Sequence, residues 1–332
     1  MNEQIEKLMR RAIPSLRDVV GLDFGTVGIK AVRIRADGNN KKTVIAAELL
    51  PYPENPGKRI TLPKRLAAPS IALSMTSPQA IVKLVATKAG QEIAQSDIAE
   101  VIGLPKENDF RTSSSVLTGD AGMLLAAVPE SEVSTLMGLL PSKGPEPVSL
   151  EISGLSAVEA CRRGCRDGEN DGCDLIVDAG ESVTTMSVVY HDEPYVVRRF
   201  PCGVSSLMQV VSKNFSCKEE VAREIVLSGE VDITSAFQSV FGGCLRQAGI
   251  AVDFTERKTG SRLRRILLVG GLANNIGFQN EFKGGFGMAP ILANPWQSML
   301  MTADALSPEA IATGACFSAA TGAAVAYLEE KL

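Results

Sequence analysis

Two short glycine-containing turns carry residue types suited to holding phosphate groups. The first is the segment DFGTVGIK, residues 23–30, in which an apolar run ends at Asp23 and turns at Gly25. A glycine turn lets backbone N–H groups approach phosphate oxygens, because no Cβ stands in the way. Thr26 adds a hydroxyl donor, Lys30 lies on the returning strand, and Asp23 is suited to holding Mg²⁺ through water. Taken alone, the segment also fits an ordinary hairpin.

The second turn repeats this layout in the other half of the chain. The segment DAGESVTTMSVV, residues 178–189, places Asp178, Gly180 and the hydroxyl residues Thr184 and Thr185 ahead of a returning strand. Two such hairpins that face each other would clamp a triphosphate from both sides of a cleft. Asp178 is the candidate catalytic residue, with the role of positioning water or Mg²⁺.

A third glycine pair follows a strongly apolar strand. The segment LLVGGLANNIGF, residues 267–278, runs from this strand through Gly270 and Gly271 into a predicted helix. A double glycine allows an adenine and a ribose to lie close to the backbone, and Asn274 offers a polar contact. A strand-to-helix turn that only packs is an equal alternative for this segment alone.

The composition fits a chain of two domains and disfavours several functions. The chain has 332 residues, 45% of them hydrophobic, which is enough for two cores. Its 34 basic and 38 acidic residues nearly balance, so nucleic acid is not an expected partner. Seven cysteines beside a single histidine favour free thiols over a metal site. The uncharged stretch 310–328 is rich in small residues, so we predict a buried helix rather than a membrane span.

The predicted elements form two similar series, each reading strand, turn, strand, strand, helix. One series begins at residue 19 and the other at residue 175, which is typical of an internal duplication. Residues 1–18 are predicted to be an extension with a helix over 5–16 and no signal peptide. The predicted strands are 19–24, 29–34, 43–50, 71–75, 114–117, 123–128, 175–177, 184–190, 195–200 and 265–269. The predicted helices are 89–102, 130–140, 153–164, 205–212, 218–227 and 235–247, with a hairpin turn at 119–120.

Together the three turns resemble the two phosphate motifs and the adenosine motif of the actin, sugar kinase and heat-shock chaperone superfamily. More closely, the sequence from residue 19 onward resembles the PilM family, which is related to the cell-division protein FtsA. The similar stretches are VGLDFGTVGIKAVRI (20–34), VSLEISGLSAVEAC (148–161), DLIVDAGESVTTMSVVYHDEPYVVRRFPCGVSSL (174–207), RILLVGGLANNIGF (265–278) and NPW (294–296).

The resemblance implies an α/β protein with the duplicated actin-like, or ribonuclease H-like, fold. Two lobes would enclose a nucleotide cleft, and a small α+β subdomain would be inserted in the first lobe. Residues 1–18 would then be an N-terminal extension, 76–149 the inserted subdomain and 173–307 the second lobe. The first lobe would consist of residues 19–75, 150–172 and 308–332.

The resemblance also implies cofactors, a partner and a location. ATP and Mg²⁺ would bind between the lobes, with Asp23 and Asp178 holding the metal through water. The partner would be a PilN-like single-span membrane protein, bound through its cytoplasmic N-terminal peptide in a groove of the insert. The protein would act as a scaffold on the cytoplasmic face of the inner membrane, where other pilus assembly components and self-association are further expected contacts.

Some residues depart from the family pattern at the predicted phosphate site. Glu181 follows Gly180 where relatives carry a small residue, and a carboxylate beside phosphates is repulsive unless a cation offsets it. The first turn lacks the serines of relatives, and the helix 218–227 lacks their lysine near its end. These departures predict weak ATP binding, very slow hydrolysis, or loss of both cofactors.

Other members of the superfamily provide the alternatives. A small-molecule kinase needs a carboxylate base near its acceptor hydroxyl, and Asp178 is the candidate, although its place in the hairpin better suits Mg²⁺ or water. An FtsA-like cell-division protein would end in an amphipathic membrane helix, whereas here the chain stops directly after the apolar stretch. A secretion-system relative of PilM shares the same fold and role.

Overall fold

The computed structural model describes residues 17–26, 28–55, 57–87, 93–105, 109–117, 122–165 and 172–330. Within these ranges the strands form two large sheets and one small sheet. The helix predicted over 5–16 and the turn predicted at 119–120 lie outside the described residues.

The first large sheet supplies one side of the molecule's central cleft. Its strands are β1 Arg17–Phe24, β2 Ile29–Ala36, β3 Lys42–Leu50, β4 Ser70–Met75, β8 Glu146–Ile152 and β14 Leu300–Met301. Their order is β14-β3-β2-β1-β4-β8, with β1 to β3 antiparallel and β4 parallel to β1. Val19, Val20 and Leu22 are all fully buried, because an apolar cluster covers each face of β1. This burial on both faces explains why β1 reads as a continuous apolar run.

The inserted subdomain is built on the small antiparallel sheet. Its strands are β5 Ile81–Val85, β6 Phe110–Val116 and β7 Met123–Pro129, in the order β5-β7-β6. Two helices accompany them, α1 Ile98–Ile102 and α2 Glu130–Leu139. Among the described strands β6 pairs only with β7. Its other side is open to a further strand except at Thr112, whose carbonyl oxygen accepts a 2.9 Å hydrogen bond from the side-chain amide of Gln95.

The second large sheet forms the other side of the cleft. Its strands are β9 Cys173–Ala179, β10 Thr184–Tyr190, β11 Glu193–Phe200, β12 Leu263–Gly270 and β13 Ile291–Leu292. Their order is β11-β10-β9-β12-β13. The accompanying helices are α4 Val204–Phe215, α5 Glu219–Ser228, α6 Thr234–Thr259 and α7 Ile276–Phe286, whereas α3 Ser153–Gly164 follows β8 directly and contacts strands of both large sheets. Phe241 of α6 and Phe278 of α7 are fully buried with their ring centroids 5.1 Å apart, which fixes these two helices against each other.

The strand register repeats between the two large sheets. Asp23 on β1 lies opposite Lys30 on β2, and Lys30 lies opposite Leu49 on β3. In the second sheet Asp178 on β9 lies opposite Thr185 on β10, and Thr185 lies opposite Arg199 on β11. Each aspartate also has a parallel strand on its other side, Ser74 of β4 beside Asp23 and Val269 of β12 beside Asp178. The duplication expected from the sequence is therefore present in the pairing of the strands.

The C-terminal apolar stretch is largely buried from Ala315 onward, as predicted, but Ile311 and Ala312 are exposed and the stretch is not one helix. It comprises α8 Pro308–Ala312, a 3₁₀ turn Gly314–Phe317 and α9 Ser318–Glu330. α9 packs on the first sheet and on α3 through small residues. A Cβ added to Gly322 would lie 1.7 Å from the carbonyl oxygen of Ser156, and one added to Gly21 would lie 1.9 Å from that of Ala320. Glycine at these places lets the backbones approach closely.

Several predicted element limits differ from the structure. In the predicted helix 89–102, the described part is helical only over Ile98–Ile102, whereas the helix predicted over 235–247 extends over Thr234–Thr259. The strand predicted at 114–117 covers Phe110–Val116. β5 and β8 were not predicted. β5 is only five residues long, β8 contains Pro147, and both pair with strands distant in sequence.

The strands cross two of the predicted domain limits. β8 begins inside the predicted insert 76–149, yet it pairs along its length with β4 of the first sheet. β14 lies inside the predicted second lobe 173–307, yet it pairs with β3. Both segments therefore extend the first sheet. None of the helices in the described ranges has the length and apolarity needed to cross a membrane.

Candidate functional site

The three glycine turns converge on one cleft between the two large sheets. The cavity there has a volume of about 250 Å³. Nine of the residues predicted from the sequence line it: Asp23, Gly25, Thr26, Lys30, Asp178, Gly180, Thr185, Gly270 and Gly271. The first hairpin, the second hairpin and the double glycine thus border a common space, which is the arrangement that a ligand held from two sides requires.

Two predicted site residues do not line this cavity. Thr184 is fully buried, and its hydroxyl donates a 2.8 Å hydrogen bond to the carbonyl oxygen of Cys202. Successive side chains of a strand point to opposite faces, so Thr185 faces the cleft and Thr184 does not. Asn274 is exposed, with its amide nitrogen 3.5 Å from the carbonyl oxygen of Ala312. The structure therefore brings Thr185 to the site and leaves Thr184 and Asn274 outside it.

Asp23 is held by several partners from its own lobe. Its carboxylate accepts hydrogen bonds from the hydroxyl groups of Ser74, at 3.1 Å, and Ser153. Lys30 lies with its Nζ 3.7 Å from Oδ2. Ser153 begins α3, so the carboxylate also lies at the positive end of that helix. Ser74 and Ser153 were not recognised from the sequence, although Ser74 is the polar residue in the apolar run 71–75.

Asp178 has a very different environment from Asp23. Part of its surface opens to the cleft, but it lies deep between the sheets. Burial, and then the charge of Asp23, raises its pKa to about 7, and Lys30 and Arg199 oppose that rise. A carboxyl group with such a pKa takes up or releases a proton near neutral pH. The group is therefore able to respond to a cation or to a water molecule in the cleft.

The acidic residue beside the second turn is neutralised within the protein. Glu181 accepts a 2.7 Å hydrogen bond from Nη2 of Arg223 and a 2.9 Å hydrogen bond from the hydroxyl of Ser205. Both Glu181 and Arg223 line the cleft. The sequence predicts an unbalanced carboxylate here, whereas α5 supplies an arginine that offsets it. The sequence shows that the helix contains Arg223, but it does not show that this side chain contacts Glu181.

The two residues of the double glycine differ in their surroundings: Gly270 packs closely against β9, whereas Gly271 borders open space in the cleft. Gly270 has a φ of +86°, and a Cβ there would lie 2.5 Å from the carbonyl oxygen of Ala179 and 2.6 Å from Oδ1 of Asp178. Gly271 is open by comparison, since the nearest atom to its Cβ position is 3.8 Å away, on Val204. The third turn can therefore admit a ligand close to the backbone at Gly271.

Arg199 is a further cleft residue that sequence reasoning missed. It lines the cavity from β11 and donates a 2.8 Å hydrogen bond from Nη2 to the carbonyl oxygen of Ser77. Together with Lys30 it gives the cleft a cation from each lobe. The only signal in the sequence was that Arg199 lies on the strand after the second hairpin. The sequence does not show which face of that strand the side chain points to, because this depends on the pairing register.

The metal prediction rests on two carboxylates. No group of three or more His, Cys, Asp or Glu side chains in the described part of the chain is arranged to hold a metal ion. Asp23 and Asp178 both face the cleft, and the raised pKa of Asp178 is what a nearby cation would reverse. Two carboxylates fit a largely hydrated Mg²⁺, which keeps several of its waters.

A second, larger cavity lies between the insert and the first lobe. It has a volume of about 950 Å³ and is bounded by the free edge strand β6, by β7 and β8, and by α3. We call it the insert groove. Its floor includes Leu150, Leu155 and Val158. Ion pairs such as Arg163–Glu159 at 2.9 Å line one rim. The hydroxyl oxygen of Ser149 is buried in the groove wall without a hydrogen-bond partner in the described structure.

The paired sheets, their repeated register and the shared cleft define a protein with the duplicated actin-like fold, as the sequence predicts. Among solved structures the chain is similar to a chain of the PilM–PilN type IV pilus biogenesis complex. That match has a TM-score of 0.70 and 18% sequence identity, and it covers 93% of this chain and 98% of that one. The resemblance to PilM found in the sequence is therefore matched by a likeness of the whole fold, including the insert.

Two other solved structures are similar at lower scores. An archaeal actin homolog, Ta0583, in complex with ADP has a TM-score of 0.43 and 13% identity, covering 94% of this chain and 99% of that one. The activator of the 2-hydroxyisocaproyl-CoA dehydratase from Clostridium difficile with bound ADPNP also has a TM-score of 0.43, with 12% identity over 94% and 95% of the two chains. No protein-family model matches the sequence, and no curated protein matches it.

Proposed function

We propose that this protein is an actin-like nucleotide-binding scaffold of a type IV pilus, or related secretion, assembly complex. The observation that carries the proposal is the convergence of the three glycine turns on one cleft, in a fold shared over 93% of the chain with the PilM–PilN complex structure. The proposed location is the cytoplasmic face of the inner membrane. A scaffold of this kind needs a nucleotide site and a partner site, and the two cavities are the candidates.

The nucleotide site would hold the phosphates between the two hairpins. Lys30 and Arg199 supply positive charge from opposite lobes, and Thr26 and Thr185 supply hydroxyl donors. The adenosine would lie at the open Gly271. Mg²⁺, when bound, would neutralise phosphate charge, with Asp23 and Asp178 holding its waters. The pairing of Glu181 with Arg223 removes the repulsion expected beside the phosphates.

Asp178 is the residue that would position water for slow hydrolysis. Its carboxyl group has a pKa of about 7, so near neutral pH a substantial fraction is ionised and able to accept a proton from water. Asp23 is less suited to this role because Ser74, Ser153 and Lys30 already surround its carboxylate.

The insert groove would hold the cytoplasmic N-terminal peptide of a PilN-like membrane protein. The side of β6 away from β7 offers backbone groups for pairing with an extended peptide. At Thr112 the peptide would have to displace the side-chain amide of Gln95 from the carbonyl oxygen. The apolar floor would take alternate side chains, and the unpartnered hydroxyl of Ser149 offers a polar contact. The groove lies at the junction of the insert and the first lobe, so a bound peptide would touch both.

Thermal unfolding with Mg-ATP tests the nucleotide claim. A ligand present at 100 times its Kd stabilises the folded protein by about 2.7 kcal/mol. Gly271→Arg, which fills the open position in the cleft, is expected to remove the rise in Tm. Gly285→Arg is the matched control, because a Cβ there meets nothing within 4 Å on the exposed side of α7. A wild-type protein that shows no rise with millimolar Mg-ATP contradicts nucleotide binding while leaving the scaffold role standing.

A pull-down tests the partner claim. The bait is the full-length protein, and the probe is a synthetic peptide of the cytoplasmic N-terminus of the single-span membrane protein encoded beside it. Retention of this peptide, with no retention of a scrambled version, is the expected result. Equal retention of both peptides, or of neither, contradicts the proposed partner.

A further inference from the structure

Arg199 reaches from the wall of the cleft to the start of the insert. Its Nη2 donates a 2.8 Å hydrogen bond to the carbonyl oxygen of Ser77, and its Nη1 donates to that of Ala80. Ser77 and Ala80 belong to the segment that leads from β4 of the first lobe into β5 of the insert. A single guanidinium, carried by the second lobe, therefore contacts the cleft and the entry to the insert.

The guanidinium of Arg199 is buried and not fully hydrogen-bonded, so a bound anion would stabilise it. Burial lowers the pKa of Arg199, while the charge of Asp178 opposes that effect. Its Nε is buried and has no hydrogen-bond partner among the residues that the structure describes. A buried donor without a partner costs free energy, and phosphate oxygens are strong acceptors that pair well with arginine.

The position of Arg199 in the sheet indicates which end of a nucleotide it would meet. The strand order β11-β10-β9-β12 puts Arg199 three strands away from Gly270 and Gly271. Neighbouring strands are about 4.8 Å apart, so the two ends of this row are separated by about 14 Å. With the adenosine at the double glycine, the Arg199 end of the row corresponds to the terminal phosphate.

We propose that Arg199 binds the terminal phosphate of a nucleoside triphosphate and thereby couples occupancy of the cleft to the insert. The inference rests on the proposed nucleotide binding and extends it to the regulation of the insert groove. With the phosphate present, the guanidinium has an anion on one side and the carbonyl groups of Ser77 and Ala80 on the other. A diphosphate lacks this anion, so the two nucleotides would hold the insert with different strength.

Hydrogen exchange measured by mass spectrometry on the full-length protein tests the coupling. In the wild type, saturating Mg-ATP is expected to slow amide exchange in β5 about fivefold or more, and Mg-ADP less. Arg199→Met, at Mg-ATP concentrations that saturate its own thermal shift, is expected to show no slowing in β5. Arg198→Met is the matched control, because Arg198 is exposed and lies on the opposite face of β11.

The affinities for Mg-ATP and Mg-ADP provide a second readout that a merely structural role would not change. Loss of the terminal-phosphate contact is expected to reduce the preference for ATP over ADP by about tenfold in Arg199→Met. If this variant does not unfold cooperatively, Arg199→Lys replaces it. Lysine keeps the charge, but its donors share a single nitrogen and lack the planar fork that reaches acceptors on two sides, so the response of β5 is expected to fall.

The outcomes separate this inference from the function on which it rests. Slowing in β5 that is equal in the wild type and in Arg199→Met overturns the coupling role. So does a wild type that is stabilised by Mg-ATP but shows no response in β5, and in that case nucleotide binding stands. A wild type without any thermal shift overturns nucleotide binding, and the role of Arg199 falls with it.

Discussion

Asp23 and Asp178 occupy equivalent positions on the central strands of the two sheets, yet their carboxyl groups are treated differently by their surroundings. Asp23 is surrounded by Ser74, Ser153 and Lys30. For Asp178, burial followed by the charge of Asp23 raises the pKa to about 7. Asp23 thus links elements of its own lobe through hydrogen bonds, whereas the carboxyl group of Asp178 remains able to respond to a ligand.

The raised pKa of Asp178 predicts a pH-dependent stability. The folded state holds this proton up to about pH 7, whereas the usual value is 3.8. The stabilisation is therefore complete below about pH 4 and is lost as the pH rises to 7. Asp178→Asn removes the titration, so the variant is expected to exceed the wild type in stability at pH 8 by roughly 2–4 kcal/mol. Urea unfolding at pH 4.5 and pH 8 measures this difference, and an equal difference at both values contradicts it.

The ion pair between Glu181 and Arg223 predicts a dependence of ATP affinity on the arginine. Arg223→Met leaves the carboxylate of Glu181 uncompensated beside the phosphates, so the affinity for Mg-ATP is expected to fall on the order of tenfold. Adding Glu181→Gln to that variant is expected to restore most of the loss, since the repelling charge is then gone. Isothermal titration calorimetry measures both variants. A double variant as weak as Arg223→Met would show that the arginine acts directly on the ligand.

Because α9 and α3 are in close contact, adding one methyl group between them is expected to lower the free energy of unfolding strongly. Gly322→Ala places a Cβ 1.7 Å from the carbonyl oxygen of Ser156, and backbone on both sides cannot move away easily. We expect a loss of about 3 kcal/mol or more in the free energy of unfolding. Gly249→Ala in α6 meets nothing within 4 Å and is expected to gain about 0.5–1 kcal/mol. Denaturant unfolding compares the two, and similar small effects would refute the close packing.

The insert groove predicts a specific sensitivity to charge at its edge. Val116 lines the groove at the end of β6 and is 60% exposed, so Val116→Asp should not disturb the core. A carboxylate in place of this apolar side chain removes an apolar contact for the peptide and is expected to weaken its binding by about tenfold. Val221→Asp, at a residue 45% exposed on α5, is the control and should bind normally. Fluorescence anisotropy with the labelled peptide gives the affinities, and equal binding by both variants would place the peptide elsewhere.

The glycine turns and the duplication could be predicted from the sequence because they depend on local features. Asp23 and Gly25, and likewise Asp178 and Gly180, stand only two positions apart in the chain, and the strand pattern on each side is short-range. The helix 153–164 matches α3 in the structure for the same reason. Such positions follow from propensity and turn chemistry alone.

The parts that could not be predicted depend on pairing between distant segments. Arg199 is a cleft residue because β11 pairs with β10 in a register that puts it beside Thr185. Glu181 is neutralised by Arg223, which lies 42 residues further along the chain. The predicted C-terminal helix is interrupted by the 3₁₀ turn that begins at Gly314. No local sequence pattern indicated the position of this interruption. In each case the deciding contact is tertiary, and a single sequence does not show it.

The way α9 covers the first sheet has a consequence for synthesis of the protein on the ribosome. The first sheet takes strands from residues 17–75, 146–152 and 300–301, and α9 completes its cover only at 318–330. The second sheet is drawn from one continuous stretch, 173–292. Contacts between nearby segments form sooner than those that close long loops. The second sheet is therefore expected to resist protease first on stalled nascent chains, with the N-terminal strands left for chaperones until residues 318–330 have been synthesised.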